Sequence, residues 1–245
     1  MLKLLLGLLL SVVLAAAEEG TCKTPPSSSL SYSLLLYLSM FFAFPTVLWL
    51  TAYLIPQLFM AFRPVPNLKE KYNAEWALVT GGGSGIGKAL AFKLASQGLN
   101  VVVVSLDDKY LKETMESLKD HYPKQEFRSV GCTFSPGVKY MEEIEKATED
   151  LEIKIIFNNA GFMVTGFLDQ TPIGKLLANI ECNATASVVI AHHFVQKIVA
   201  KKHTGCIVFT SSVAGFIPTP FAAMYASTKS FATQFARYVL TTHSR

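Results

Sequence analysis

From Trp76 onward, short apolar runs alternate with stretches whose apolar residues recur at helical spacing. The runs Trp76 to Thr80, Asn100 to Leu106, Arg128 to Cys132, Ile153 to Asn158 and Cys206 to Thr210 read as strands, since each is short, apolar and bounded by turn or polar residues. Between the first two, Leu90, Ala91, Leu94 and Ala95 fall on one face of a helix predicted over Lys88 to Gln97 and stopped by Gly98. Alternating strands and helices are solved most economically as a parallel sheet covered on both faces, so an α/β domain is predicted over 76–245.

The chain before Trp76 follows a different pattern. Residues 1–17 combine an early charge at Lys3, an apolar run from Leu4 to Leu14 and the small residues Ala15 and Ala17, the pattern of a signal peptide. A linker over 18–29 contains the Pro/Ser stretch Pro25 to Ser29. Residues 30–62 are uncharged, have no polar face and exceed the ~20 residues a membrane-crossing helix needs, so one transmembrane segment is predicted there, with Pro45 positioned to kink it or Pro56 to end it early. A second linker spans 63–75. It carries Arg63, Lys69 and Lys71, against Glu18, Glu19 and Lys23 on the other flank, and the positive-inside rule then sets the α/β domain in the cytosol. A cleaved signal peptide followed by a stop-transfer helix gives the same orientation.

Composition agrees. Of 245 residues, 51% are hydrophobic and 16% charged, and the excess is local, because no Asp, Glu, Lys or Arg occurs between Lys23 and Arg63. The net charge of +4 comes from lysines that alternate with acids along predicted helices, which argues for solvated faces and against a nucleic-acid partner. Cys22, Cys132, Cys182 and Cys206 lack metal-binding spacing; the last three read as reduced, mostly buried thiols. His192 and His193 read as packing residues, and no metal site is predicted.

Candidate chemistry begins at Thr80-Gly81-Gly82-Gly83-Ser84-Gly85-Ile86-Gly87, which follows the first strand and opens the first helix. In that context glycines permit a tight turn and close approach to a pyrophosphate, which the helix N-terminus receives with unpaired N–H groups. Gly82 to Lys88 also fits G-x-x-x-x-G-K, but Ala89 follows where a triphosphatase needs a magnesium-binding hydroxyl. The sheet is therefore predicted to be of the Rossmann type. Tyr225 and Lys229 lie four residues apart on a predicted helix, hence on one face, where an ammonium favours the phenolate of a neighbouring tyrosine. Thirteen residues before Tyr225, at a strand end, stands Ser212, preceded by Ser211.

These features together resemble the short-chain dehydrogenase/reductase family. The resemblance covers Trp76 to Arg237 and rests on four ordered motifs: T-G-x-x-x-G-I-G at Thr80 to Gly87, N-N-A-G at Asn158 to Gly161, Ser212, and Y-x-x-x-K at Tyr225 to Lys229. It implies Tyr225 as general acid/base, Ser212 as the group that orients a substrate carbonyl, and Lys229 as the partner of Tyr225 and of the cofactor ribose. Asn183 would complete a proton relay; Asn183-Ala184-Thr185 is also a glycosylation sequon, which would need a lumenal domain. Cofactor contacts implied by position are Thr80, Gly81, Gly83, Ser84, Gly85, Ile86 and Gly87, then Ser105, Leu106 and Asp107 after the second strand, then Asn159, Ala160 and Gly161.

Two departures matter. The family's acidic ribose-binding position holds Ser105, with Leu106 next and Asp107 two residues late, while Thr133 replaces the aspartate usual after the third strand. Without a carboxylate at the tip, NADP(H) is favoured over NAD(H). The family pattern also continues past the tyrosine helix for two more strands, a lid and a Pro-Gly turn, whereas this chain stops at Arg245, so a sheet without its C-terminal strands is expected. The resemblance implies interconversion of a carbonyl and an alcohol on a lipid-like substrate, of the 3-oxoacyl thioester or steroid type. It also implies attachment to the endoplasmic reticulum membrane and a homodimer through the tyrosine helix. The alternative is a non-catalytic, membrane-tethered binding protein or an inactive fragment.

Overall fold

A computed structural model describes residues 29–243, so the signal peptide predicted over 1–17, all but Ser29 of the linker predicted over 18–29, and Cys22 lie outside the described residues. The chain divides into two units, one reaching Val65 and the other beginning at Pro66.

In the first unit, helix α1 (Ser29–Phe62) runs on through both Pro45 and Pro56. Its segment Tyr37–Phe62, 26 residues with mean hydropathy 1.8, is long and apolar enough to cross a membrane by length and composition. The hydroxyls of Thr46 and Thr51 donate back to the carbonyls of Phe42 and Val47 at 2.9 and 2.8 Å, so neither stands unpaired in the apolar stretch.

The second unit opens with the short helix α2 (Leu68–Tyr72). Strands β1 (Trp76–Thr80), β2 (Asn100–Ser105), β3 (Phe127–Gly131), β4 (Ile153–Asn158) and β5 (Cys206–Phe209) follow, separated by α3 (Gly85–Ser96), α4 (Lys109–His121), α5 (Tyr140–Thr148) and the pair α6 (Ile173–Ile180) and α7 (Ala186–Ala200); α8 (Ala223–His243) comes last. The five strands form one parallel sheet in the order β3-β2-β1-β4-β5. The order reverses beside β1, and in such sheets ligands bind outside the carboxyl ends of the strands at that switch point. The predicted doubly wound α/β class is thus the observed one.

Burial explains which strands were legible. All of β1 and β4 is buried, which requires a continuous apolar run, whereas β3 at the sheet edge buries only Val130. Two cores flank the sheet. Val79, Leu94, Val103 and Leu118 meet on one face; Leu78, Val104, Ile144, Ile190 and Phe194 meet on the other. The predicted first helix begins three residues earlier than expected, at Gly85, because its first turn is made of glycine-rich residues with no apolar stripe to show it.

Candidate functional site

The glycine loop leaves β1 at Thr80, a buried residue whose hydroxyl oxygen accepts the N–H groups of Asn159 and Ala160, each at 3.0 Å. The ends of β1 and β4 are thereby fastened together. Asn159 extends the tie, its Nδ2 donating to the Thr80 carbonyl at 3.2 Å and its Oδ1 accepting from Thr210 Oγ1 at 3.2 Å. Close packing dictates glycine at two loop positions. A Cβ on Gly81, which has φ +65, would lie 2.8 Å from Ala160 Cα, and one on Gly87 would lie 2.1 Å from the Gly81 carbonyl oxygen.

Helix α3 starts at Gly85 with Ser84 as its N-cap, and the Ser84 side chain makes no capping bond. The first intrahelical N–H bond from this end is that of Lys88 to the Ser84 carbonyl, at 3.1 Å. The earlier N–H groups therefore stand at the mouth of the loop without a helical acceptor. A Cβ on Gly85 would meet nothing within 4 Å, so this floor is open. An open helix N-terminus over a side-chain-free floor fits the pyrophosphate of a dinucleotide.

From this loop a cleft of about 760 Å³ runs to the tyrosine helix. Gly81, Ser84, Gly85, Ile86, Ser105 and Leu106 line one part, Asn159, Ala160 and Gly161 the middle, and Ser212, Tyr225 and Lys229 the other. The sequence-derived residues Thr80, Gly83, Gly87 and Asn183 are not on its wall but brace it: Thr80 and Gly87 as above, while the Gly83 carbonyl accepts from Thr114 Oγ1 at 2.8 Å. Asp107 lies elsewhere, packed against Gly131 in a shallow depression with Leu111 and Lys112. The wall after β2 thus presents the Ser105 hydroxyl and the apolar Leu106, and not the Asp107 carboxylate.

Lys229 is buried, and its Nζ donates to the Thr210 carbonyl at 2.7 Å. Its ammonium lies 5.7 Å from the centroid of the Tyr225 ring, as expected for residues four apart on α8. Burial pulls the lysine below its ordinary pKa, opposed by the neighbouring Cys182 thiol. Ser212 caps the 3-10 turn Val213–Gly215, its hydroxyl oxygen accepting from Ala214 N at 3.2 Å, which leaves the hydroxyl proton available to a ligand. The turn is bolted to α8 by Ser230 Oγ, which donates to the Gly215 carbonyl at 2.6 Å, and by Ser211 Oγ, which donates to the Lys229 carbonyl at 3.0 Å.

Asn183 sits in a π-helical turn, Glu181–Thr185, between α6 and α7. The wider turn directs its side chain at the Phe162 peptide. Oδ1 accepts from Phe162 N at 3.0 Å, and Nδ2 donates to Phe162 O at 2.9 Å and to Thr228 Oγ1 at 3.2 Å. At 3% exposure and fully paired, it offers no acceptor for a glycan. A Cβ on Gly161 would lie 3.1 Å from Asn183 Oδ1 and 3.3 Å from Lys229 Nζ, so glycine is what lets these two side chains approach the N-N-A-G turn.

Several contributors escaped sequence reasoning. Asn179 donates to the Phe162 carbonyl at 2.7 Å, and Phe162 and Met163 line the cleft; only the apolar pair after N-N-A-G signalled them. Cys132, Cys182 and Cys206 are free and largely buried, as expected, and Cys132 and Cys182 also line the cleft. Burial pushes the Cys182 thiol up to about 11 and that of Cys132 up to about 12.

The chain is similar in sequence and fold to known proteins. The chain is 32% identical over 169 residues to the human inactive hydroxysteroid dehydrogenase-like protein 1, covering 68% of this chain and 51% of that one. It is 32% identical over 185 residues to rat 17-beta-hydroxysteroid dehydrogenase type 3, covering 74% of this chain and 59% of the relative. This chain therefore spans between half and three-fifths of the length of these relatives. A solved short-chain dehydrogenase from Sphingobium yanoikuyae in complex with NADPH superposes with a TM-score of 0.63 at 29% identity, over 69% of this chain and 66% of that one. The family model for short chain dehydrogenases matches residues 75–244, nearly all of the second unit, with the glycine loop, Ser212, Tyr225 and Lys229, and the chain belongs to that family.

Proposed function

We propose that the protein is an NAD(P)-dependent oxidoreductase that interconverts a carbonyl and an alcohol, with Tyr225 as general acid/base. The observation that carries this reading is the continuity of one cleft from the open N-terminus of α3 to the Ser212, Tyr225 and Lys229 side chains. A bound nicotinamide cofactor supplies or accepts the hydride. The chain's own residues do the rest. Ser212 gives its free hydroxyl proton to the substrate oxygen as a hydrogen bond, its lone pair already engaged by Ala214 N. Tyr225 transfers its phenolic proton to that oxygen in reduction and takes one back in oxidation. Lys229, fixed on the Thr210 carbonyl, keeps a positive charge beside the tyrosine, and Asn183 holds the Phe162 peptide in place.

NADP(H) is the favoured cofactor, since Ser105 and Leu106, not a carboxylate, line the cleft after β2, and NADPH is the ligand of the solved relative. A lipid-like or steroid substrate suits the apolar Phe162 and Met163 in the wall, and the rat relative is named for hydroxysteroid oxidation. Segment Tyr37–Phe62 would anchor the protein in the endoplasmic reticulum membrane, with the second unit in the cytosol, and α8 would mediate a homodimer. The experiment that tests the core of this reading is Tyr225→Phe. NADPH binding, followed by energy transfer from tryptophan, should be retained while turnover of a steroid ketone disappears; undiminished turnover refutes the assignment. A non-catalytic binding role is the second reading, favoured by the name of the human relative. NADPH binding with no turnover by the unaltered protein would select it.

A further inference from the structure

Two segments run past the reacting end of the cleft. One leaves the N-N-A-G turn through Phe162 and Met163, and the other leads from Ser212 to Tyr225; all four residues line the wall. The segments are joined three and four residues beyond Met163, at Gly166 and Phe167, and four residues before Tyr225, at Phe221. Gly166 N donates to the Phe221 carbonyl at 2.8 Å, and the rings of Phe167 and Phe221 meet edge to face, with centroids 5.2 Å apart and an interplanar angle of 89°.

The backbone at this junction is unusual. Phe221 has φ +62, in the left-handed region that disfavours a bulky side chain, and Gly166 has φ +143. Such conformations persist where the surroundings over-determine them, and they cluster at ligand clamps. Burial is not what holds this one, since Phe167 is 57% and Phe221 59% exposed. Core packing would have hidden the rings. Here an aromatic pair is built at a backbone cost and left open on the two segments that leave the cleft wall at Met163 and enter it at Tyr225, where Leu168 and Ile217 are also exposed along the chain.

We infer that Phe167 and Phe221 form a clasp that determines specificity by receiving the apolar body of a bulky carbonyl or alcohol substrate. This rests on the oxidoreductase reading and adds to it the residues that select the substrate. A small ketone held between Ser212 and Tyr225 stops short of the clasp, whereas a fused-ring or long-chain substrate reaches it and covers the open aromatic faces.

The test uses the full chain in detergent, with a steroid ketone titrated onto the protein loaded with NADP+, and NADPH turnover measured in parallel. Phe167→Ala removes one ring. Phe221→Gly removes the other while suiting the left-handed backbone, so it separates loss of the ring from misfolding. Each is expected to weaken steroid binding by about tenfold or more, the scale of a lost aromatic anchor, with NADPH affinity unchanged. Steroid affinity within about twofold of the unaltered protein in both variants overturns the clasp. So does absence of steroid binding before any substitution, or loss of NADPH binding in Phe221→Gly. If steroid binding responds as expected but no variant, nor the unaltered protein, oxidises NADPH, the clasp stands as a selector of ligands and the oxidoreductase reading fails.

Discussion

Lys229 Nζ donates to the carbonyl oxygen of Thr210 at 2.7 Å, which pins the tyrosine helix to the residue just past the end of β5. The bond fixes where the ammonium stands, and burial makes that charge costly. The folded pKa of Lys229 is therefore below its unfolded value. Between the two values the unfolded chain binds more protons, so unfolding free energy rises with pH through that window. Lys229→Met should remove this rise, leaving a flatter profile of stability from neutral pH into the ordinary lysine range, measurable by urea denaturation. The same variant should lose most turnover. A profile as steep as that of the unaltered protein would show that another group is responsible.

Thr80 should be sensitive to loss of its oxygen alone. Thr80→Val keeps the shape but strands the N–H of Ala160, while that of Asn159 retains the Phe157 carbonyl at 3.0 Å. A part-buried donor left unsatisfied costs at most ~1–3 kcal/mol, so the denaturation midpoint should fall, and Thr80→Ser should restore it. Equal stability of the Val and Ser variants would refute the bridging role.

Gly85 and Gly87 should differ in their response to alanine. At Gly87 a Cβ would overlap the backbone oxygen of Gly81, so the loop must move, with a cost of ~1–3 kcal/mol or more and a loss of NADPH affinity of at least about tenfold. At Gly85 space is open and only the φ of +53 is unfavourable, which costs ~1–2 kcal/mol. Gly85→Ala should retain measurable NADPH binding, and a titration of both variants decides the matter.

Cys182 and Cys132 should alkylate slowly although both open onto the cleft. With the Cys182 thiol pushed up to about 11, its thiolate fraction at pH 8 is about a hundredfold below that of a free cysteine. Labelling by iodoacetamide, read by peptide mass spectrometry, should be correspondingly slow and accelerate as pH rises toward 11. Rapid labelling at pH 8 would contradict the burial argument.

Particular elements show what one-dimensional pattern carries. β1 and β4 have the bounds expected from sequence, since strands buried on both faces must be apolar throughout. β3 is displaced by a residue from its expected position because an edge strand with one buried residue has little pattern to read. Asn183 and Lys229 stood out in the sequence as candidates. That Asn183 grips Phe162 did not, because the contact depends on a π-helical turn that no periodicity announces.

By itself the sequence determined the α/β class, the apolar N-terminal helix and the order of Thr80 to Gly87, Asn158 to Gly161, Ser212, Tyr225 and Lys229. The class and the apolar helix follow from burial and helical spacing, which act on neighbouring residues, and the ordered motifs were recognised by their resemblance to the short-chain dehydrogenase/reductase family. Tertiary structure alone decided that Asp107 turns away from the cleft, that Thr80 fastens β4 to β1, and that Phe167 meets Phe221. Each joins residues distant in sequence or rotates one about its own backbone, and both depend on how the strands and loops close around the switch point of the sheet.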